Sequence, residues 1–198
     1  MNVLIACEES QAITIELRKK GIQAWSCDIQ ECSGGHPDWH IQGDCIKEAY
    51  SGKYSHMIAH PPCTYLAVSG ARWLYNKDGS RNRERFQKQK EALEFVRLLM
   101  NAPIEKIAIE NPISVISSQI RKPDQIINPF QFGHPEQKKT CLWLKGFPLL
   151  QETNNVYDYM MTLPKRKRTR IHWLGSNKSK ERSKTFKGIA KAISDQWF

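Results

Sequence analysis

No run of this sequence approaches the roughly 18 consecutive apolar residues that a membrane-crossing helix needs, so a membrane-embedded chain is not expected. Internal repeats and low-complexity tracts are absent as well, which excludes a repeat architecture. No basic leader precedes the first apolar stretch: Met1-Asn2-Val3-Leu4-Ile5-Ala6-Cys7 runs directly into Glu8-Glu9. A secretory signal is therefore not expected, and the expectation is a soluble, cytoplasmic chain. Six cysteines are present, but with no sign of secretion they read as free thiols rather than three disulfides.

Acidic residues are nearly missing from one stretch. Residues 165–187 hold ten Lys or Arg, among them Lys165, Arg166, Lys167, Arg168 and Arg170, against the single acid Glu181. Most of the net charge of +10 lies there, and the rest of the chain is close to neutral. Such a local excess is the electrostatic footprint of a polyanion, usually nucleic acid, because Lys and Arg release counterions condensed on phosphates. A merely solvated basic tail is the alternative from charge alone.

A tight Cys-x-x-Cys pair is also lacking. Cys27, Cys32, His36, His40 and Cys45 are spaced closely enough to hold zinc. However, Cys27 and Cys45 fall in or beside apparent strands, where a thiol packs as a small apolar group. A polar loop with structural histidines is the stronger expectation, and no metal is assigned.

What is present is one domain's worth of chain, 198 residues with 40% hydrophobic and 25% charged residues, enough for a real core. Short apolar runs alternate with longer stretches of helical period, the pattern of an α/β protein with a mostly parallel sheet. Strands are expected at Val3 to Cys7, Ile22 to Asp28, near Ile41 to Asp44, His56 to His60, Lys106 to Glu110 and Thr140 to Leu144. Helices are expected over about 11–20, capped by Ser10 and ended by Gly21, over 83–101, with Phe86, Leu93, Val96 and Met100 on one face, and at the C-terminus, with Phe186, Ala190, Ile193 and Trp197 on one face. Residues 64–82 read as a long loop, which in a compact domain is more often functional than idle.

In an open α/β sheet, ligands bind at the carboxyl ends of the strands. Those ends carry Cys7-Glu8-Glu9-Ser10, Asp28, Asp44, Pro61-Pro62-Cys63 and Glu110-Asn111. An acid ending the second strand is a common acceptor for ribose hydroxyls, although a carboxylate at a strand end often only caps the next helix.

Several of these residues form motifs. His60-Pro61-Pro62-Cys63, followed by Ser69-Gly70, a helix and then Ile109-Glu110-Asn111-Pro112, resembles the Pro-Cys and Glu-Asn-Val motifs of DNA cytosine methyltransferases that modify carbon 5. Gly133-His134-Pro135-Glu136-Gln137-Lys138 is similar to the family's Gly-x-Pro-Gln-x-Arg motif, and Ala190-Lys191-Ala192-Ile193 to its last motif. Order and spacing agree along nearly the whole chain, most closely with small phage-type members. The resemblance implies a single Rossmann-like, S-adenosylmethionine-dependent methyltransferase domain over 1–198, with helices on both faces of the sheet. Residues 151–185 would stand as a short basic segment where the family places target recognition.

The resemblance also implies roles. Cys63 would be the thiolate that adds to carbon 6 of cytosine, making carbon 5 nucleophilic, and Glu110 would supply a proton to ring nitrogen 3. Lys138, in the place of an arginine, joins them as a catalytic residue. For S-adenosylmethionine, Asp28 would accept the ribose hydroxyls and Asp44 would meet the adenine amino group. Glu8 or Ser10 would approach the methionine portion, with Pro61 and Ser183 also in contact. Pro62, Ser69, Arg72, Asn111 and the basic residues Lys165, Arg166, Lys167, Arg168 and Arg170 would bind the substrate, expected to be double-stranded DNA with a flipped cytosine. The loop at 64–82, with Arg72, Trp73 and Arg81, would close over the base.

The chain departs from the family at the first turn, which lacks the glycine-rich signature, and at Arg182-Ser183-Lys184, which stands where Gly-Asn-Ser is expected. Structural roles remain open alongside the functional ones: Asp28 and Asp44 as caps, Cys63 as an inert thiol, Glu110 as an ion-pair partner. A non-catalytic nucleic-acid-binding protein with this fold and a methyltransferase acting on RNA cytosine are the alternatives for the whole chain.

Overall fold

A computed structural model describes residues 1–174 and 178–198. Residues 175–177, within the basic segment, lie outside the described residues. The run Val3 to Ala6 is apolar without alternation, and it forms the centre of a sheet covered on both faces, as such runs do in parallel sheets. The strands are β1 (Asn2–Ala6), β2 (Gln23–Asp28), β3 (His40–Gln42), β4 (His56–Ala59), β5 (Lys106–Pro112), β6 (Gln125–Ile127) and β7 (Thr140–Lys145). They lie in the order β3-β2-β1-β4-β5-β7-β6. The pairings from β3 through β5 are parallel, and β7 runs antiparallel to both β5 and β6.

Successive residues of β1 point to opposite faces. Leu4 and Ala6 join Met57, Ala59, Ile107 and Ile109 under the helices α2 (Cys45–Ala49), α3 (Arg83–Met100) and α4 (Ile116–Gln119). Val3 and Ile5 join Ile58 and Ala108 under α1 (Ala12–Lys19) and the C-terminal α9 (Lys187–Trp197). Helices thus cover both faces of a mostly parallel seven-stranded sheet, a mixed α/β architecture consistent with a Rossmann-like fold. Among the described residues, four short helices come between β7 and α9: α5 (Tyr157–Thr162), α6 (Lys165–Arg168), α7 (Arg170–Trp173) and α8 (Ser179–Ser183). None of the described helices is long and apolar enough to cross a membrane.

Two local details differ from the sequence expectation. Ser10 does not cap α1; the carboxylate of Glu8 does, accepting from the backbone N–H groups of Ile13 at 2.7 Å and Thr14 at 3.3 Å. The reason is that Gln11 enters the helix in a left-handed conformation, φ 56°, which brings the first free N–H groups round to Glu8. The stretch 64–82 is not wholly irregular, since Val68–Leu74 forms a 3-10 helix and Tyr75 bridges to Arg81. Gly21 does end α1 as expected, at φ 76°, with its N–H donated to the Arg18 carbonyl at 2.9 Å.

Candidate active site

Strand order reverses between β1 and β4, and the loops leaving their carboxyl ends must part in opposite directions. A cleft of about 330 Å³ opens there. Its floor is the end of β1 (Cys7 to Ser10), the end of β2 (Asp28), the Pro61-Pro62-Cys63 turn after β4 and Glu110-Asn111 in β5. Its opposite wall is Lys138 with Lys180, Arg182 and Ser183 of the basic segment.

The turn after β4 is fixed from several sides. His60 donates its N–H to the Ala6 carbonyl at 2.9 Å, extending the ladder by one rung before Pro61-Pro62 ends it. The Asn111 amide donates to the Pro61 carbonyl at 2.7 Å, so that β5 holds the turn in place. Leu66 and Ala67 then donate to the Cys63 carbonyl at 3.0 and 2.8 Å, and Cys63 is left exposed on the cleft. Partial burial and the Glu110 carboxylate push its thiol up from the usual value, while Lys138, its own backbone N–H and Arg182 draw it down.

Glu110 is held by a partner that motif spacing does not single out. His60 Nδ1 lies 2.8 Å from Glu110 Oε2, with both side chains largely buried. Burial opposes charge on either group, yet their mutual hydrogen bond and attraction prevail: His60 is raised above its usual value and Glu110 is lowered below its own. Glu8 adds to the pull on His60 and Lys138 to that on Glu110. Lys138 donates to the Arg182 carbonyl at 3.0 Å, tying that wall together.

The remaining residues expected at the site divide into three groups. Ser10, Asp28, Pro61, Pro62, Asn111 and Ser183 line the cleft. Burial raises Asp28, while the Gln30 N–H donated to its Oδ1 at 2.9 Å works the other way. Glu8 also lines it, but both its oxygens are engaged, one by Ile13 and the other by Thr14. A free acceptor at this turn belongs instead to Glu9, whose Oε2 is buried without a partner among the described residues. Glu9 stood in the same sequence run, but nothing in the sequence tells which of two adjacent glutamates turns into the helix. Asp44 caps α2 through Ile46 N–H at 2.8 Å and is not among the residues lining the cleft.

Ser69 and Arg72, on the 3-10 helix, also stand outside the lining, Arg72 lying over the half-exposed ring of Trp73 at 4.6 Å. Lys165, Arg166 and Lys167 are exposed on α6. Arg168 is partly buried, its carbonyl accepting from Gln137 N–H at 2.7 Å. Arg170 pairs with Glu136 and Glu181, binding α7 to the stretch before β7 and to α8. The zinc arrangement does not assemble: His36 stacks on Trp39, and His40 bonds Ser26 and Gln30 through its two ring nitrogens. Cys27 and Cys45 instead gather with Cys7 beneath the strand ends. Among the described residues no three metal-binding side chains come close enough to hold an ion.

Comparison with protein-family models and with curated protein sequences finds no match. Among solved structures the chain is similar to the methyltransferase Dnmt2 of S. pombe, with a TM-score of 0.48 and 15% identity, covering 84% of this chain and 56% of that one. It is also similar to a protein described as a DNA modification methyltransferase encoded within a prophage, from E. coli. There the TM-score is 0.45 and the identity 14%, covering 83% of this chain and 56% of that one. The chain thus spans little more than half the length of either.

Proposed function

We propose that this chain transfers a methyl group from S-adenosylmethionine to carbon 5 of cytosine in DNA through a covalent adduct with Cys63. The observation that carries this reading is the meeting of Cys63, Glu110 and Lys138 in one cleft at the switch point of the sheet, although they come from three separate segments. Convergence of a thiol, a carboxyl group and a cation is what addition to a pyrimidine ring requires: a nucleophile, a proton donor and a counter-charge.

The cleft has groups suited to the methyl donor. Asp28 offers a carboxylate for two ribose hydroxyls, and the unpartnered Oε2 of Glu9 together with Ser10 suits the amino group of the methionine portion. S-adenosylmethionine supplies an electrophilic methyl group when bound. The chain's own residues do the rest. The Cys63 thiol must lose its proton, and its raised value makes the approach of Lys138 and Arg182 the chief aid to the thiolate. Glu110 faces the pyrimidine edge, and Asn111 keeps the Pro61 turn, hence Cys63, at a fixed height above it. Exposed Lys165, Arg166 and Lys167 on α6 would hold phosphates, and the duplex would yield its cytosine by flipping at a cost of a few kcal/mol.

The test is incubation with DNA and labelled S-adenosylmethionine, comparing wild type with Cys63→Ala. Wild type is expected to label the DNA and Cys63→Ala to fail. Equal labelling by the two would overturn the mechanism.

A further inference from the structure

We infer that His60 carries the proton that Glu110 passes to ring nitrogen 3 of a bound cytosine, so that the pair, rather than the glutamate alone, is the acid of the site. This inference rests on the function proposed above. It starts from a mismatch: an ionised carboxylate has only acceptors, and nitrogen 3 of cytosine is itself an acceptor. Glu110 as a lone ionised group would repel the atom it must serve. A proton has to be stored beside it.

The geometry provides the store. Ala59 and Ile109 are the last pair of the β4–β5 ladder, and His60 and Glu110 are the residues that directly follow them, so their contact of 2.8 Å is set at the end of two paired strands. A purely structural histidine would use both ring nitrogens. Here Nε2 is buried with no partner among the described residues, as is Oδ1 of neighbouring Asn111, and both residues line the cleft.

The charged groups facing the imidazole are Glu110 from β5, Glu8 from the end of β1 and Lys138 from the stretch before β7. Glu8 has both oxygens bonded within α1 and its charge favours the charged imidazole, while burial raises Glu8 itself above its usual value. Burial works against the charge, yet His60 remains raised and Glu110 lowered, as a proton residing on His60 requires.

The step balances as follows. As the Cys63 sulfur bonds to carbon 6, the His60 Nδ1–H bond breaks, the proton crosses to the Glu110 carboxylate, and the Glu110 O–H bond breaks as N3–H forms. The negative charge brought by the thiolate is cancelled on the ring and His60 is left neutral. Once carbon 5 has taken the methyl group that S-adenosylmethionine would supply, its proton leaves to water, the carbon–sulfur bond breaks to return the Cys63 thiolate, and the N3 proton returns to the pair.

Two measurements test this. The first follows the His60 imidazole by NMR titration in the free protein, in wild type and in Glu110→Gln. His60 is expected to titrate above 6.5 in wild type and to fall in the variant; titration at or below 6.5 in wild type would overturn the inference. The second compares pH profiles of methyl transfer for wild type and His60→Gln, which retains a donor to Glu110 but cannot carry the proton. At pH 7.5 the variant should lose about 100-fold, within the usual range for general acid catalysis, and recover as pH falls toward the titration of Glu110 itself. Transfer with the same profile in both would overturn the proton store while leaving the proposed function standing. No transfer by wild type at any pH would overturn both.

Discussion

Glu8 illustrates how one side chain replaces a local motif. The first turn has no glycine-rich loop, and Cys7 and Gln11 both adopt positive φ there, conformations that non-glycine residues hold only at a cost. Three donors on Ile13 and Thr14 converge on the Glu8 carboxylate and hold the turn in that shape. Glu8→Ala leaves these buried groups unpaired and should lower stability by about 1–3 kcal/mol, measured by urea denaturation. The His60–Glu110 pair makes a second prediction, about pH. His60 titrates higher folded than unfolded, so its contribution is full below 6.5 and is lost as pH rises through its raised value. Glu110 titrates lower, so its contribution is full above 4.5 and is lost as pH falls through its lowered value. Stability from the pair is therefore greatest between 4.5 and 6.5. Denaturation across pH should show that maximum in wild type and a flatter dependence in His60→Gln.

At the scale of elements, α9 closes the second face of the sheet. It buries Ile189, Ala190, Ile193 and Trp197 against α1 and the sheet, and the Trp197 ring N–H donates to the Pro148 carbonyl at 3.1 Å. Ile193→Ala should cost roughly 2–4 kcal/mol by the same denaturation assay, the usual range for a buried aliphatic truncation. The start of the helix is tighter still. Gly188 lies against the Phe132 carbonyl with no room for a Cβ, and its N–H donates to His134 Nε2 at 2.9 Å. Gly188→Ala should thus destabilise the chain, although alanine favours helices elsewhere, and would displace the stretch that carries Lys138. The amphipathic period made α3 and α9 legible in the sequence, the terminator Gly21 helped to mark α1, and unbroken apolar runs did the same for β1, β4 and β5. The three-residue β6 and five-residue α2 were not legible, because such short pieces carry no period and exist by virtue of tertiary contacts.

For the whole molecule, the sequence pointed to most strand-end residues of the cleft, and the family resemblance to Lys138 and Ser183 on its second wall, but nothing singled out Lys180 and Arg182 beside them. Charge alone pointed the entire 165–187 stretch outward to a polyanion. Instead Lys180, Arg182 and Ser183 fold back over the switch point, Arg170 is tied up in internal ion pairs, and Lys165 to Lys167 remain exposed. The distinction depends on acids at Glu136 and Glu181, whose partners are set by packing and not by spacing. If α6 holds phosphates, replacing Lys165, Arg166 and Lys167 with alanine should weaken DNA binding across sequences and reduce the slope of log affinity against log salt by roughly one per residue. Arg170→Ala should act chiefly on stability. The central claim is tested most directly by mass analysis of nucleosides from the DNA of cells expressing the protein. Wild type is predicted to yield deoxycytidine heavier by one methyl group and Cys63→Ala to yield none; unmodified deoxycytidine from both, with the wild-type protein folded and present, would contradict the account.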